Sequence, residues 1–222
     1  MAEIRVIQAP DQEHPFAVIY KPKGLASAPL REGDNSALSR VAEIFPQLKN
    51  VEGKKKVEYG LLHRIDTATS GLLLVASTQE SYDFLRECQK EGKFLKYYRA
   101  EIQVPEGKKI EKEFTVVSRF RPFGEKARKV KPVFEDGSAA DKKKCGSKVY
   151  STWIKIEGNR ALCRITEGYR HQVRAHLASC GFPICGDQLY NDKALPGEEL
   201  KFEAFRIEFI NPVTGKKCSY EC

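Results

Sequence analysis

Leu61-Leu62-His63-Arg64-Ile65-Asp66-Thr67-Ala68-Thr69-Ser70-Gly71-Leu72-Leu73-Leu74-Val75-Ala76-Ser77 falls into two halves of opposite character. The second half is a short apolar run, Leu72 to Val75, bounded by turn residues, which is the pattern of a buried strand. The first half is polar and closes on Thr69-Ser70-Gly71, which reads as a turn. His63, Arg64 and Asp66 therefore stand at the mouth of a core strand, on a rigid support but outside the core. A reactive carboxylate is usefully placed there. Taken alone, an Asp among Thr and Ser residues also reads as a turn cap, with Arg64 as its ion-pair partner.

On the N-terminal side, Ile4 to Ile7 and Phe16 to Tyr20 read as strands, the second broken by Lys21-Pro22-Lys23-Gly24. Asp34 or Asn35 is expected to cap a helix with Leu38, Val41, Ile44 and Phe45 on one face, stopped by Pro46. Lys54-Lys55-Lys56 reads as a solvated loop. On the C-terminal side, Ser77 and Glu80 offer a capping box for a helix carrying Tyr82, Phe84, Leu85 and Cys88, closed by Gly92. Phe94 to Val104 follows as a strand, where the neighbours Tyr97 and Tyr98 must point to opposite faces. The residues alone do not decide which of the two faces a cleft.

Glu111 to Arg119 alternates weakly as a further strand. Arg119 to Lys131 mixes basic side chains, suited to phosphates, with Phe120 and Phe123, suited to unstacked bases. It reads equally as an exposed loop with two anchoring aromatics. Lys142-Lys143-Lys144 is expected in a mobile, solvated turn. Val149 to Ile156 and Ala161 to Thr166 form a hairpin through Gly158-Asn159. In Tyr169-Arg170-His171-Gln172-Val173-Arg174-Ala175-His176-Leu177 the residues Val173, Leu177 and Cys180 share a helix face, and Gly181 closes the helix. Arg170 and Arg174, four apart, are expected on a second face. Phe205, Ile207 and Phe209 alternate with Arg206 and Glu208 in a last strand, ended by the turn at Asn211-Pro212-Val213-Thr214-Gly215.

The chain has 222 residues, 31% charged and 41% hydrophobic, the balance of a globular protein with a real core. Its net charge of +8 favours a polyanionic partner. No apolar run approaches a membrane span, and Met1-Ala2-Glu3-Ile4-Arg5 carries no apolar signal segment. The seven cysteines are odd in number and include no Cys-x-x-Cys, so reduced thiols in a reducing, cytoplasmic compartment are expected. Cys180, Cys185, His171 and His176 fit no standard zinc spacing. No nucleotide or metalloprotease motif occurs, so neither cofactor nor metal is expected.

His63-Arg64-Ile65-Asp66, two residues, then Thr69-Ser70-Gly71-Leu72 closely resembles the signature of RluA-type RNA pseudouridine synthases, with Ile65 where that family usually has Leu. Lys21-Pro22-Lys23-Gly24-Leu25 resembles the family's first motif, and Lys96-x-Tyr98-x-Ala100 another. His171-Gln172-Val173-Arg174 with His176-Leu177, followed by Gly181-Phe182-Pro183-Ile184-Cys185-Gly186-Asp187 and Tyr190, resembles the third. The resemblance runs from about Tyr20 to Gly215. In one departure, the family's Arg after Gly168 is Tyr169 here and Arg occupies the next place as Arg170, so that Arg's role does not transfer to Tyr169.

The resemblance implies Asp66 as the catalytic residue, Tyr98 in the active site, Arg174 as the basic partner of Asp66, and Arg64 as the side chain that fills the gap left by a flipped uridine. It places His63, Arg170, His171, Gln172 and Lys21 with Arg64 at the RNA. The implied fold is α+β, a mainly antiparallel β-sheet core with flanking helices and two lobes around a central catalytic cleft. One catalytic domain over residues 1–222 is expected, as a monomer, without a separate N-terminal RNA-binding domain. The expected activity is isomerisation of specific uridines in rRNA or tRNA. A catalytically silent RNA-binding module accounts for the charge but not for Asp66, Tyr98 and Arg174 all falling at matching positions. A glycosidase lacks an evident second carboxylic acid beside Asp66.

Overall fold

A computed structural model describes residues 3–107 and 111–222; Met1 and Ala2, the start of the opening segment read above, lie outside it. In chain order the elements are β1 (Arg5–Gln8), β2 (Phe16–Lys21), α1 (Ala37–Ile44), β3 (Ser70–Ala76), α2 (Gln79–Lys90), β4 (Leu95–Glu101), β5 (Glu113–Phe123), β6 (Lys129–Val133), α3 (Ala139–Lys144), β7 (Tyr150–Glu157), β8 (Arg160–Ile165), α4 (Gln172–Ser179), β9 (Phe202–Ile210) and β10 (Lys217–Glu221), with short 3-10 turns between some of them. The chain divides into two units. One runs to Lys96 and resumes at Glu203, and the other spans Tyr97–Phe202.

In the first unit the strand order is β1-β2-β3-β9, and β10 also pairs with β9. All pairs are antiparallel except β3 with β9, which run parallel through Ser70↔Glu203 and Gly71↔Ala204. Every residue of β3 is buried, as a continuous apolar run requires when both faces of a strand are covered. Leu72 and Leu74 pack with Phe16, Tyr82, Leu85, Phe94, Ile207 and Phe209. Ser70 and Gly71, expected in a turn, already belong to the strand; the turn lies one step earlier, at Thr67-Ala68. Gly71 has φ +135°, and a Cβ there would collide with the Ala204 carbonyl of β9. Only glycine allows that approach.

The second unit orders its strands β4-β8-β7-β5-β6, with β8–β7, β7–β5 and β5–β6 antiparallel. The sheets are thus mostly antiparallel and the helices few, as expected for α+β. The segment 119–131 is a hairpin and not an open loop: β5 continues to Phe123 and pairs with β6 from Arg119↔Val133 to Phe123↔Lys129. Strand alternation turns Phe120 inward, where it is 2% exposed and stacks on Tyr169 at 4.9 Å, so it is not available to an RNA base. Arg121 and Lys131 share the carboxylate of Asp141 at 2.6 and 2.8 Å. Lys142 to Lys144 form the last turn of α3, where cations suit the negative end of a helix.

Local signals were displaced by a residue or two. α1 is capped by Ser36 in a reciprocal pair with Ser39, while Asp34 instead accepts the N–H groups of Leu30 and Arg31. Ile44, expected on the buried face, is exposed. α2 is capped by Thr78 with Ser81, not by Ser77 with Glu80, and Phe84 lies at the surface. β10 had no counterpart in the sequence reading. It brings Lys217 to within 2.7 Å of Glu208, which is buried rather than solvent-facing and also binds Arg206.

Candidate active site

Asp66 lies in the irregular segment between Leu62 and β3, half-buried, with its backbone held from both sides. On the N-terminal side Ser27 Oγ donates to the Ile65 carbonyl at 2.7 Å and accepts the Ile65 N–H at 3.1 Å. On the C-terminal side Thr69 N–H donates to the Asp66 carbonyl at 3.0 Å. The Thr67 carbonyl receives the Gly24 N–H at 2.8 Å and Lys21 Nζ at 3.3 Å. The ammonium of Lys21 also donates to the carbonyls of Pro22 and Leu25. Its side chain is 0% exposed, so it has no surface to offer RNA. Burial pulls its pKa down to about 8, and the negative charge of Asp66 opposes that shift. The Lys-Pro-x-Gly-Leu segment thus positions the Asp66 turn.

The imidazole of His63 is likewise enclosed. Nε2 accepts the Leu74 N–H at 3.3 Å and the ring sits edge-on to Phe94 at 5.1 Å. That assigns the proton to Nδ1, which has no partner among the described residues. His63 ties the Asp66 segment to β3. Arg64 reaches solvent, with Nη1 3.3 Å from Glu58.

The other site candidates lie in the second unit. On β4, residues 96, 98 and 100 point inward and residues 97, 99 and 101 do not. Tyr98 is 7% exposed and stacks on Phe202 at 5.2 Å, so one face of its ring is covered and Tyr97 lies on the opposite side of the strand. Tyr98→Phe keeps this stack and removes only the hydroxyl. If the hydroxyl moves a proton, turnover falls about 10²–10⁴-fold, whereas Tyr97→Phe leaves it unchanged. A fully active Tyr98→Phe enzyme, measured in single turnover, would restrict Tyr98 to stacking.

Arg174, on α4, is buried and forms a fork with buried Asp187: Nε to Oδ2 at 2.8 Å and Nη2 to Oδ1 at 2.7 Å. Asp187 also accepts the N–H groups of Leu189 and Tyr190. Nη1 lies outside that fork. Arg170 precedes α4 and does not share its face with Arg174; its Nη2 donates to the carbonyls of Ala127 and Lys129 at 2.5 and 3.1 Å, across the tip of the β5–β6 hairpin. His171, in the left-handed region at φ 55°, faces the Tyr190 hydroxyl at 3.0 Å, and that hydroxyl accepts the Val130 N–H. Gln172 is 2% exposed, bonded to Ser151, Thr152 and Tyr169, so it too is enclosed.

His176 had no assigned role in the sequence. It is fully buried between Thr152 Oγ1 and Ser118 Oγ, both at 2.8 Å, and fastens α4 to β7 and β5. Burial lowers it from 6.5 to about 4; burial and the ammonium of Lys96 lower His63 to about 3. Between those values and 6.5 the unfolded chain binds more protons than the folded one. Stability from these two groups is therefore complete above about pH 6.5 and is lost as pH falls toward 4. For His176 alone the loss is on the order of 3 kcal/mol. Urea unfolding at pH 7, 5.5 and 4.5 should show this decline, shallower in His176→Gln; an equally steep decline in the variant would contradict it.

All seven cysteines are free thiols, and no group of three or more His, Cys, Asp or Glu among the described residues is arranged to hold a metal ion.

A family model described as RNA pseudouridylate synthase matches residues 15–179, spanning the motif residues from Lys21 through Arg174, and the chain belongs to this family. Among curated relatives, the uncharacterized RNA pseudouridine synthase YhcT of Bacillus subtilis is 26% identical over 214 residues, covering 92% of this chain; the chain spans 64% of that relative's length. The dual-specificity RNA pseudouridine synthase RluA of Pasteurella multocida is 29% identical over 215 residues, covering 92% of this chain and 87% of its own. Among solved structures, human RNA pseudouridylate synthase domain containing 1 aligns with a TM-score of 0.70 at 18% identity, covering 99% of this chain and 83% of its own, a likeness of fold.

Proposed function

We propose that this protein isomerises uridine to pseudouridine in structured RNA, rRNA or tRNA, as a monomer in the cytoplasm, with Asp66 acting at C1′ of a flipped-out uridine. The observation that carries the reading is the holding of the Asp66 segment, by Ser27 at Ile65 on one side and by Lys21 and Gly24 at the Thr67 carbonyl on the other. That is the preorganisation a group attacking a sugar carbon requires. The reaction breaks the N1–C1′ bond, turns the uracil, joins C5 to C1′, gives up the C5 proton to solvent and takes a proton from solvent onto N1. Atoms and electrons balance without an oxidant, a reductant or a second substrate. The carboxylate serves either by bonding to C1′ or by assisting elimination to a glycal.

In this reading Tyr98 meets the uracil, Arg174 supplies positive charge to the reaction, and Arg64 fills the gap in the stack. Lys21, His63 and Gln172 hold these residues in place, Lys21 and Gln172 without touching RNA. Phe123, half-exposed under the Arg121 guanidinium, and the tip residues Lys126, Arg128 and Lys129 are the part of the basic segment that remains available to RNA. The seven free thiols support a reducing compartment. No helix among the described residues is long and apolar enough to cross a membrane. The test is mass-neutral conversion of uridine in rRNA and tRNA transcripts by purified protein. Binding without conversion would leave the RNA-binding-module reading instead.

A further inference from the structure

Glu58 is a buried carboxylate that the reaction does not use. It sits at the end of the short turn Lys56–Glu58, its side chain 10% exposed, and its Oε1 lies 3.3 Å from Arg64 Nη1 and 3.8 Å from Lys55 Nζ. The Arg64 side chain it holds is 54% exposed, so the anchor is buried and its load lies at the surface.

The surrounding backbone fixes the anchor. Glu58 N–H donates to the Lys55 carbonyl at 2.8 Å, and Leu61 N–H donates to the Glu58 carbonyl at 3.0 Å. A Cβ on Gly53 would collide with the Tyr59 carbonyl, and one on Gly60 with the Ala76 carbonyl of β3. Tyr59 sits at φ 41°, ψ −138°, a conformation costly for a residue with a Cβ. The close approach at Gly60, where Ala76 N–H donates to the Gly60 carbonyl at 2.8 Å, ties this turn to β3, beside the exposed Arg64.

We propose that Glu58 is the positioning residue for Arg64: it holds the guanidinium back in the RNA-free protein and yields it when an RNA phosphate competes, which makes insertion of Arg64 conditional on correctly bound RNA. The proposal rests on the reading of Arg64 as the residue that fills the space of the flipped uridine. Carboxylate and phosphate both suit the guanidinium fork, so the exchange keeps its hydrogen bonds while RNA binding supplies the driving force.

The test is a binding cycle on the full chain, by fluorescence anisotropy with a fluorescein-labelled uridine-loop RNA hairpin. Glu58→Gln should bind roughly 2–5-fold tighter, the scale of one exposed ion pair, and should lower KM with kcat unchanged. Glu58→Asp, which keeps the charge but withdraws it, should also bind tighter. In an Arg64→Ala background the gain from Glu58→Gln should vanish. Glu43→Gln, the same charge change at an exposed position of α1, should give no comparable gain. The proposal is overturned if Glu58→Gln binds no tighter at matched thermal stability, if its gain persists without Arg64, or if Glu43→Gln reproduces it. Binding needs no turnover, so a wild-type protein that fails to convert uridine would sink the functional reading while the cycle still decides the role of Glu58.

Discussion

Asp66→Asn is expected to return uridine unconverted while RNA binding and thermal stability stay close to wild type. Asparagine has nearly the same volume, and the backbone hydrogen bonds of Ile65, Asp66 and Thr67 to Ser27, Thr69, Gly24 and Lys21 do not depend on the carboxylate charge. The substitution therefore removes the charge and the nucleophilic oxygen and leaves the support standing. Loss of a nucleophile costs roughly 10³–10⁶-fold in turnover. Release of tritium from C5-labelled RNA in single turnover measures it directly. Residual turnover within about tenfold of wild type is too small a loss for a reacting carboxylate, and would return Asp66 to the role of turn cap.

Arg174→Ala is expected to abolish activity too, but with a different signature. It strips a buried carboxylate, Asp187, of its forked cation, leaving only the N–H groups of Leu189 and Tyr190. Breaking a buried pair from one side costs about 3–5 kcal/mol, which lowers the melting temperature by roughly 6–20 °C in a chain of this size. Arg174→Lys keeps the charge without the fork and should recover little. The informative variant is Arg174→Met with Asp187→Leu, which removes both charges: stability should return and activity should not. If activity returns with stability, Arg174 serves only to hold α4. Arg170→Ala should cost less than Arg174→Ala in both readouts, because Arg170 is exposed and pins only the hairpin tip. Equal losses would mean that the displaced arginine carries the role assigned to Arg174.

What could be read in the sequence depended on how far apart the interacting residues are. β3 was legible because four consecutive apolar residues need no distant partner to be recognised, and the Tyr97/Tyr98 alternation followed from strand geometry alone. Helix caps shifted by one or two residues because Asp34, Asn35 and Ser36 all qualify locally, as do Ser77 and Thr78; packing chooses among them. The β5–β6 hairpin was hidden by its charges, since arginines and lysines on the outward face masked the inward alternation that buries Phe120. The supports of Asp66 carried no local signal. Ser27 and Ile65 are 38 residues apart, Lys21 and Thr67 are 46 apart. Lys21 and Gln172 looked like RNA contacts because they are polar and lie in motifs, but in the structure Lys21 binds backbone carbonyls and Gln172 binds the backbone of Ser151 and Tyr169 and the Thr152 hydroxyl.

The parallel pairing of β3 with β9 also bears on the order in which the protein comes together at the ribosome. Ser70 must wait for Glu203, and the core around Leu72 and Leu74 stays open until Ile207 and Phe209 have been made. The unit spanning Tyr97–Phe202 emerges complete and uninterrupted before that. The segment carrying Asp66 is synthesised well before Glu203 and Ala204, and the sheet that supports it closes only after they have been made. During that interval the apolar side chains of β3 that later pack on Ile207 and Phe209 lack that cover, the kind of surface that chaperones shield.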